Sequence, residues 1–231
     1  NAFFTLRNDN LLGKESPGST LKPDDDISLS KQEISDKRKY LFESLGLNPE
    51  WTAWAHQIHS NRVKYVTNGG RYGGVDALVT EIPGLSLVIQ VADCAALLLA
   101  DRKNNIIAAV HAGWRGAAGD ILPNALQTMF RRGAEASSIE AFISPCISLK
   151  NFEVGEEVAE QFPDSAVDRT SYRKPHVDLK EFLNNQLLNH GIPGKQIEVN
   201  GDCTIANPDK YFSYRREQKE AGRMLGVISI T

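Results

Sequence analysis

The sequence predicts an α+β fold in which mixed β-sheets are flanked by helices. Three observations lead there. Short apolar runs rich in branched residues, such as Leu87-Val88-Ile89 and Ile106-Ile107, read as buried strands. Amphipathic helical stretches lie between them without the regular strand–helix alternation of a doubly wound sheet. Two of the apolar runs end on residues that carry chemistry, Asp93-Cys94 and His111. With 231 residues, 41% hydrophobic and 24% charged, the chain can bury a full core and reads as one domain over 1–231. A net charge of −3 gives no reason to expect nucleic acid or an acidic membrane surface as partner. No apolar stretch approaches the roughly 20 residues needed to span a bilayer. Three scattered cysteines make no disulfide framework and favour a reducing, cytoplasmic setting.

Taken in order, Ala2-Phe3-Phe4-Thr5-Leu6 is a short strand, and the polar stretch 8–26 reads as a long loop. Ser30-Lys31-Gln32-Glu33 is a capping box. It opens a helix with Ile34, Leu41 and Leu45 on one face and a stop near Gly46. Residues 51–66 read as extended, and strand alternation puts His56 and His59 on opposite faces. Asn68-Gly69-Gly70 and Gly73-Gly74 are turn material, followed by the strand Asp76-Ala77-Leu78-Val79-Thr80. After the turn Pro83-Gly84 come the strand 85–91, the apolar run 95–100, a turn over 101–105 and the strand before His111. A helix follows over about 120–132, with Asp120 as N-cap and Pro123 in its first turn. Ala141-Phe142-Ile143 is a strand, and 156–162 a short helix. Asp178 caps another helix that turns Leu179, Phe182, Leu183 and Leu187 inward and closes at Gly191. The strand Ile197-Glu198-Val199, a loop over 211–216 and the strand 224–230 complete the chain.

The stretch Val110-His111-Ala112-Gly113-Trp114-Arg115-Gly116 stands out. A strand presents a histidine at its end, and glycines let the backbone beyond it approach a ligand. A tight strand-to-helix turn whose histidine only fills the core would give the same pattern. The neighbouring strand end at Cys94 supplies a thiol. A cysteine and a histidine brought together make either a metal site or a nucleophile–base pair.

Several further pieces occur in order: Gln57-Ile58-His59, Asp76 to Thr80, Ala92-Asp93-Cys94, Val110 to Gly116, Ser144-Pro145-Cys146-Ile147, Phe152-Glu153-Val154-Gly155 and Phe212-Ser213-Tyr214-Arg215-Arg216, with Gly222-Arg223 near the end. Together they resemble the polyphenol oxidoreductase laccase family, which includes the YfiH proteins, from about Trp51 onward. Before Trp51 the match is poor. The family's Thr-Thr-Arg-x-Gly-Gly motif is reduced to Thr5-Leu6-Arg7, with Asp9-Asn10 where the glycines would stand. The proline often found after the family's Asp-Cys pair is Ala95 or Ala96 here.

The resemblance implies a YfiH-like fold, of the class that also holds Cys-His toxin deamidases of the cytotoxic necrotizing factor type. It implies three metal ligands, His59, Cys94 and His111, with zinc as the expected metal and copper as the alternative at the same ligands. Two imidazoles and a thiolate leave a fourth position of a tetrahedral site open, as in catalytic zinc sites, and such a metal supplies hydroxide at neutral pH. The implied activities are phosphorolysis of adenosine, inosine and methylthioadenosine, and hydrolytic deamination of adenosine. Cys94 and His111 are then catalytic, with Asp93 a candidate proton carrier. Arg215 and Arg216, and more weakly Arg7 and Arg115, are candidates for binding phosphate, because a guanidinium fork matches that anion. The expected partners are a small purine nucleoside and phosphate, with the chain a monomer or weak homodimer. Three other readings compete: a metal-independent hydrolase of amides or peptidoglycan precursors with Cys94 as nucleophile and His111 as base, a copper polyphenol oxidase, and a non-enzymatic zinc protein. Five histidines are too few for a multicopper assembly.

Overall fold

A computed structural model describes residues 1–7 and 31–230. The loop 8–26, the capping box at Ser30 and the side chain of Ile34 lie outside the described residues. The elements in chain order are β1 (Ala2–Phe4), α1 (Lys31–Ser44), β2 (Thr52–His56), β3 (Val63–Tyr65), β4 (Gly70–Gly73), β5 (Ala77–Thr80), β6 (Ser86–Val91), β7 (Ala95–Asp101), β8 (Ile106–Ala112), α2 (Trp114–Ala118) and α3 (Ile121–Arg131). Then follow β9 (Ile139–Ile143), α4 (Glu156–Ala159), β10 (Val167–Asp168), β11 (His176–Val177), α5 (Leu179–Asn189), β12 (Ile197–Val199), α6 (Tyr214–Glu217) and β13 (Met224–Ser229).

The longer strands form two mixed sheets. One has six strands in the order β12-β9-β7-β8-β5-β3, the other five in the order β1-β13-β6-β2-β4. Strand alternation divides the apolar residues among three interfaces. Leu97, Leu99, Ala108 and Val110 pack against Leu122, Leu126 and Met129 of α3. From the opposite face of the same strands, Ala96, Leu98, Ile107 and Ala109 meet Leu87, Ile89, Met224 and Ile228 of the second sheet. Beyond that sheet, Val88, Leu225 and Val227 meet Leu41 and Phe42 of α1. The result is four layers, helix, sheet, sheet, helix. Strands β7 and β8 are buried on both faces, which is why they read as unbroken apolar runs.

The expected α+β fold with helix-flanked mixed sheets is observed, with local differences. Residues 51–66 break into β2 and β3 around a loop at 57–62. The glycines at 70–73 form an edge strand rather than a turn, paired parallel to β2. Gly69 is needed there, since a Cβ would stand 2.0 Å from the carbonyl oxygen of Glu50. Trp114-Arg115-Gly116 already belongs to α2, so the helical path begins directly after Gly113. Asp120 occupies the N-cap of α3 in a left-handed conformation, φ +67°, and its side chain makes no cap hydrogen bond. Asp178 does cap α5, accepting from the Glu181 N–H at 3.0 Å. The 211–216 loop contains α6, capped by Ser213. No helix among the described residues is long and apolar enough to cross a membrane.

Candidate metal centre and its cavity

β7 and β8 run antiparallel with Ala96 opposite His111 and Ala95 opposite Ala112. Cys94 immediately precedes β7, so this register brings its thiol to the His111 imidazole. His59 arrives from the loop between β2 and β3, in a left-handed conformation with φ +60°. Strand alternation therefore does not govern its direction.

Asp76, fully buried just before β5, holds that loop in place. Its Oδ1 accepts from the His59 N–H at 2.9 Å. Its Oδ2 accepts from the Ser60 N–H and the Ser60 hydroxyl, both at 2.7 Å, and from the Ile58 N–H at 3.3 Å. Oδ1 also receives Nδ1 of His111 at 2.8 Å. One carboxylate thus fixes the backbone of one histidine and the ring of the other, and leaves Nε2 of His111 facing the cluster. In the sequence Asp76 reads as the start of a strand and a part of the family resemblance, without a role of its own at the site. The available signal was a charged residue opening an apolar run, since buried carboxylates are rarely unpaired.

The ligand atoms of His59, Cys94 and His111 all lie within 4.8 Å of one another. The two imidazole rings meet edge to face with centroids 4.9 Å apart. Gly113 makes this convergence feasible: a Cβ there would stand 2.9 Å from Cys94 Sγ and 3.0 Å from His59 Cδ2. Burial works against a charged Cys94, but His111 and His59 outweigh it and pull the thiol down to about 6. Burial likewise opposes a charged His111, and the Cys94 thiolate and Asp76 push its pKa up regardless. Asp76 resists the same burial through its hydrogen bonds from His111 and Ser60, and falls to about 2.

This donor set fits a metal ion. Ligand atoms of a tetrahedral zinc stand roughly 3.3–3.7 Å apart, a spacing compatible with a group whose donor atoms all lie within 4.8 Å of one another. A carboxylate on the far nitrogen of a ligating histidine is the usual supporting arrangement. The cluster lies on the wall of a cavity of about 600 Å³, within the size range of small-molecule sites. Trp114, Phe152 and Tyr214 offer aromatic surface, and Arg115, Arg215 and Arg223 offer cations.

The remaining expected residues separate into two groups. Arg115 lies over the Trp114 ring at 4.3 Å and lines the cavity. Arg215 also lines it, donating from NH1 to the Glu153 carbonyl at 3.1 Å. Arg216 is spent on structure: it binds the carbonyls of Thr204, Ile205 and Tyr211 and the Glu217 carboxylate. Arg7 pairs with the same Glu217 and stacks on Phe212. Neither is among the residues lining the cavity. Asp93 is buried at φ +79°, and its oxygens accept from Thr204 Oγ1 at 2.6 Å, Ser213 Oγ at 3.0 Å and the Arg215 N–H at 2.7 Å. These bonds hold the turn before Cys94, and Asp93 also lines the cavity. Cys146 and Cys203 are buried free thiols outside the His59-Cys94-His111 group. His176 and His190 bind the carbonyls of Leu149 and Gln186. Tyr211 and Phe212 are core, while Tyr214 is exposed at the cavity.

Fold and site together define a four-layer α+β protein with a His-Cys-His group, able to hold a metal, in the wall of an open cavity. The chain belongs to the multi-copper polyphenol oxidoreductase laccase family, whose model matches residues 2–231. It is 43% identical over 165 residues to a purine nucleoside phosphorylase of Bacteroides thetaiotaomicron, a match covering 68% of this chain and 61% of that protein. It is 35% identical over 222 residues to one from Corynebacterium glutamicum, covering 93% and 88%. Adenosine deaminase RL5, from an unknown prokaryotic organism, is 32% identical over 207 residues, covering 82% and 79%. Among solved structures, the hypothetical protein YfiH of Bacillus licheniformis superposes with a TM-score of 0.87 at 28% identity, covering 100% of this chain and 92% of that one.

Proposed function

We propose that the chain is a zinc-dependent enzyme of purine nucleosides that cleaves adenosine, inosine and methylthioadenosine with phosphate and deaminates adenosine with water. The observation that carries this reading is the His59-Cys94-His111 group in the wall of a cavity that also presents arginines. The names of its relatives, purine nucleoside phosphorylase and adenosine deaminase, support it. A zinc ion held by those three residues supplies a Lewis acid and a source of hydroxide.

The chain's own residues do the rest. In phosphorolysis an oxygen of hydrogen phosphate bonds to C1′, the bond from C1′ to the purine breaks with its electrons on the base, and the base takes up the proton that the phosphate gives up. Arg115 and Arg215 supply positive charge where the phosphate must gather. Trp114, Phe152 and Tyr214 provide faces for the purine. Asp76 keeps His111 in one tautomer and one orientation. In deamination water adds at C6 and the amino group leaves as ammonia, taking the proton the water gives up.

A multicopper oxidase has no support in the ligand inventory. His59, Cys94 and His111 make the one metal-ligating group among the described residues, which include all five histidines. A second reading does rest on an observation. Cys94, His111 and Asp76 form a thiolate, an imidazole and an orienting carboxylate, the arrangement of a cysteine hydrolase.

Chromatography of adenosine products with and without phosphate, on wild type and Cys94→Ala with metal assayed in each, separates the two. Phosphate-dependent adenine, or inosine, lost together with zinc in the variant is the expected result. No turnover by a zinc-replete wild type, with amide hydrolysis appearing after chelation, would replace the first reading by the second.

A further inference from the structure

Most arginines with a close anionic partner lie away from the cavity. Arg102 pairs with Glu140, Arg132 with Glu81, Arg169 with Glu156, and Arg7 and Arg216 share Glu217. None of the three cavity arginines, Arg115, Arg215 and Arg223, has a carboxylate at ion-pair distance among the described residues, but Arg115 and Arg215 are exposed whereas Arg223 is half-buried, its guanidinium 6.0 Å from the Tyr214 ring centroid. Its NH1 donates to the carbonyls of Ala221 at 2.7 Å and Gly222 at 2.9 Å. Nε and NH2 make no hydrogen bond among the described residues.

The backbone that carries Arg223 is firmly seated. A Cβ on Gly222 would stand 2.7 Å from the Phe212 ring, so the chain lies flat against it. The two carbonyls then hold NH1, and the rest of the fork stays available. Asp93 and Cys94 are near enough to interact with the charge. Asp93 directs its hydrogen bonds to Thr204, Ser213 and the Arg215 N–H, so its charge acts on Arg223 without direct contact. A partly desolvated guanidinium with no anion in direct contact is costly to the fold. That cost is expected where a ligand supplies the missing charge, and an oxyanion accepting two parallel N–H bonds matches the free edge of the fork.

We propose that Arg223 is the principal binding residue for the phosphate co-substrate, holding it on the same cavity wall as Cys94. The assignment rests on the phosphorolytic reading above. It shifts the phosphate contact away from Arg216 and Arg7, and leaves Arg215 and Arg115 as flanking cations. A merely structural Arg223 would brace residues 221–222 and have no effect specific to phosphate.

Two measurements on the metal-loaded protein distinguish these roles. Calorimetric titration with inorganic phosphate needs no nucleoside turnover. Wild type should bind phosphate, Arg223→Gln at least tenfold more weakly, and Arg223→Lys between them. In phosphorolysis, Arg223→Gln should raise KM for phosphate tenfold or more while KM for the nucleoside stays within about twofold. Equal phosphate affinity in wild type and Arg223→Gln, or no phosphate binding by either, would overturn the assignment. So would a variant whose kcat falls with KM for phosphate unmoved. A wild type that binds phosphate through Arg223 but cleaves no nucleoside would refute the phosphorolytic reading and leave the anion site standing.

Discussion

At the scale of single residues, Asp76 matters as much as the ligands themselves. It gathers three backbone N–H groups, one hydroxyl and one imidazole on two oxygens. Asp76→Asn replaces one acceptor by a donor and breaks this set. Metal affinity, read by competition with a chelator, should fall about 10–100-fold, as for other carboxylates behind a ligating histidine. Unchanged affinity would mean that the loop and the imidazole hold themselves. The ligands were legible in the sequence because a histidine and a cysteine at strand ends are conspicuous, and the family resemblance added His59. Asp76 was not, because its partners come from 15 or more residues away and only folding assembles them. The arginines show the same limit. Sequence could count guanidinium groups, but whether one is spent on carbonyls, as Arg216 is, depends on tertiary contacts.

At the scale of elements, the turn between β6 and β7 controls where Cys94 stands. Asp93 adopts a left-handed conformation that aspartate tolerates better than most residues. Its carboxylate ties that turn to Thr204 and to the start of α6. Asp93→Asn presents a donor to groups that are themselves donors. Denaturant unfolding should show a loss of about 1–3 kcal/mol, the cost of leaving buried partners unsatisfied. The ratio of deamination to phosphorolysis should hold. Loss of deamination alone would show that Asp93 carries the proton. Long periodic elements such as α3, α5, β7 and β8 were readable because their apolar spacing matches burial. The short ones were not. β4 is a glycine-rich edge strand, and α2 and α6 span five and four residues, so their existence depends on neighbours and caps rather than on periodicity.

At the scale of the whole molecule, the four layers explain how a small site is kept rigid. The doubly buried strands β7 and β8 run through the centre of the packing, and both present their chemistry at one end. The family description speaks of several coppers, yet the histidines outside the cluster are engaged elsewhere: His176 and His190 on carbonyls, and His56 beside Arg71. The fold therefore carries one metal-ligating group among its described residues. The central claim is that a single metal at His59, Cys94 and His111 supports nucleoside turnover. Its most direct test is titration of the metal-free protein with zinc while following adenosine conversion. Activity should rise linearly and stop at one equivalent per chain, with Cys94→Ala flat throughout. Full activity without metal, or a break only at three or four equivalents, would contradict it.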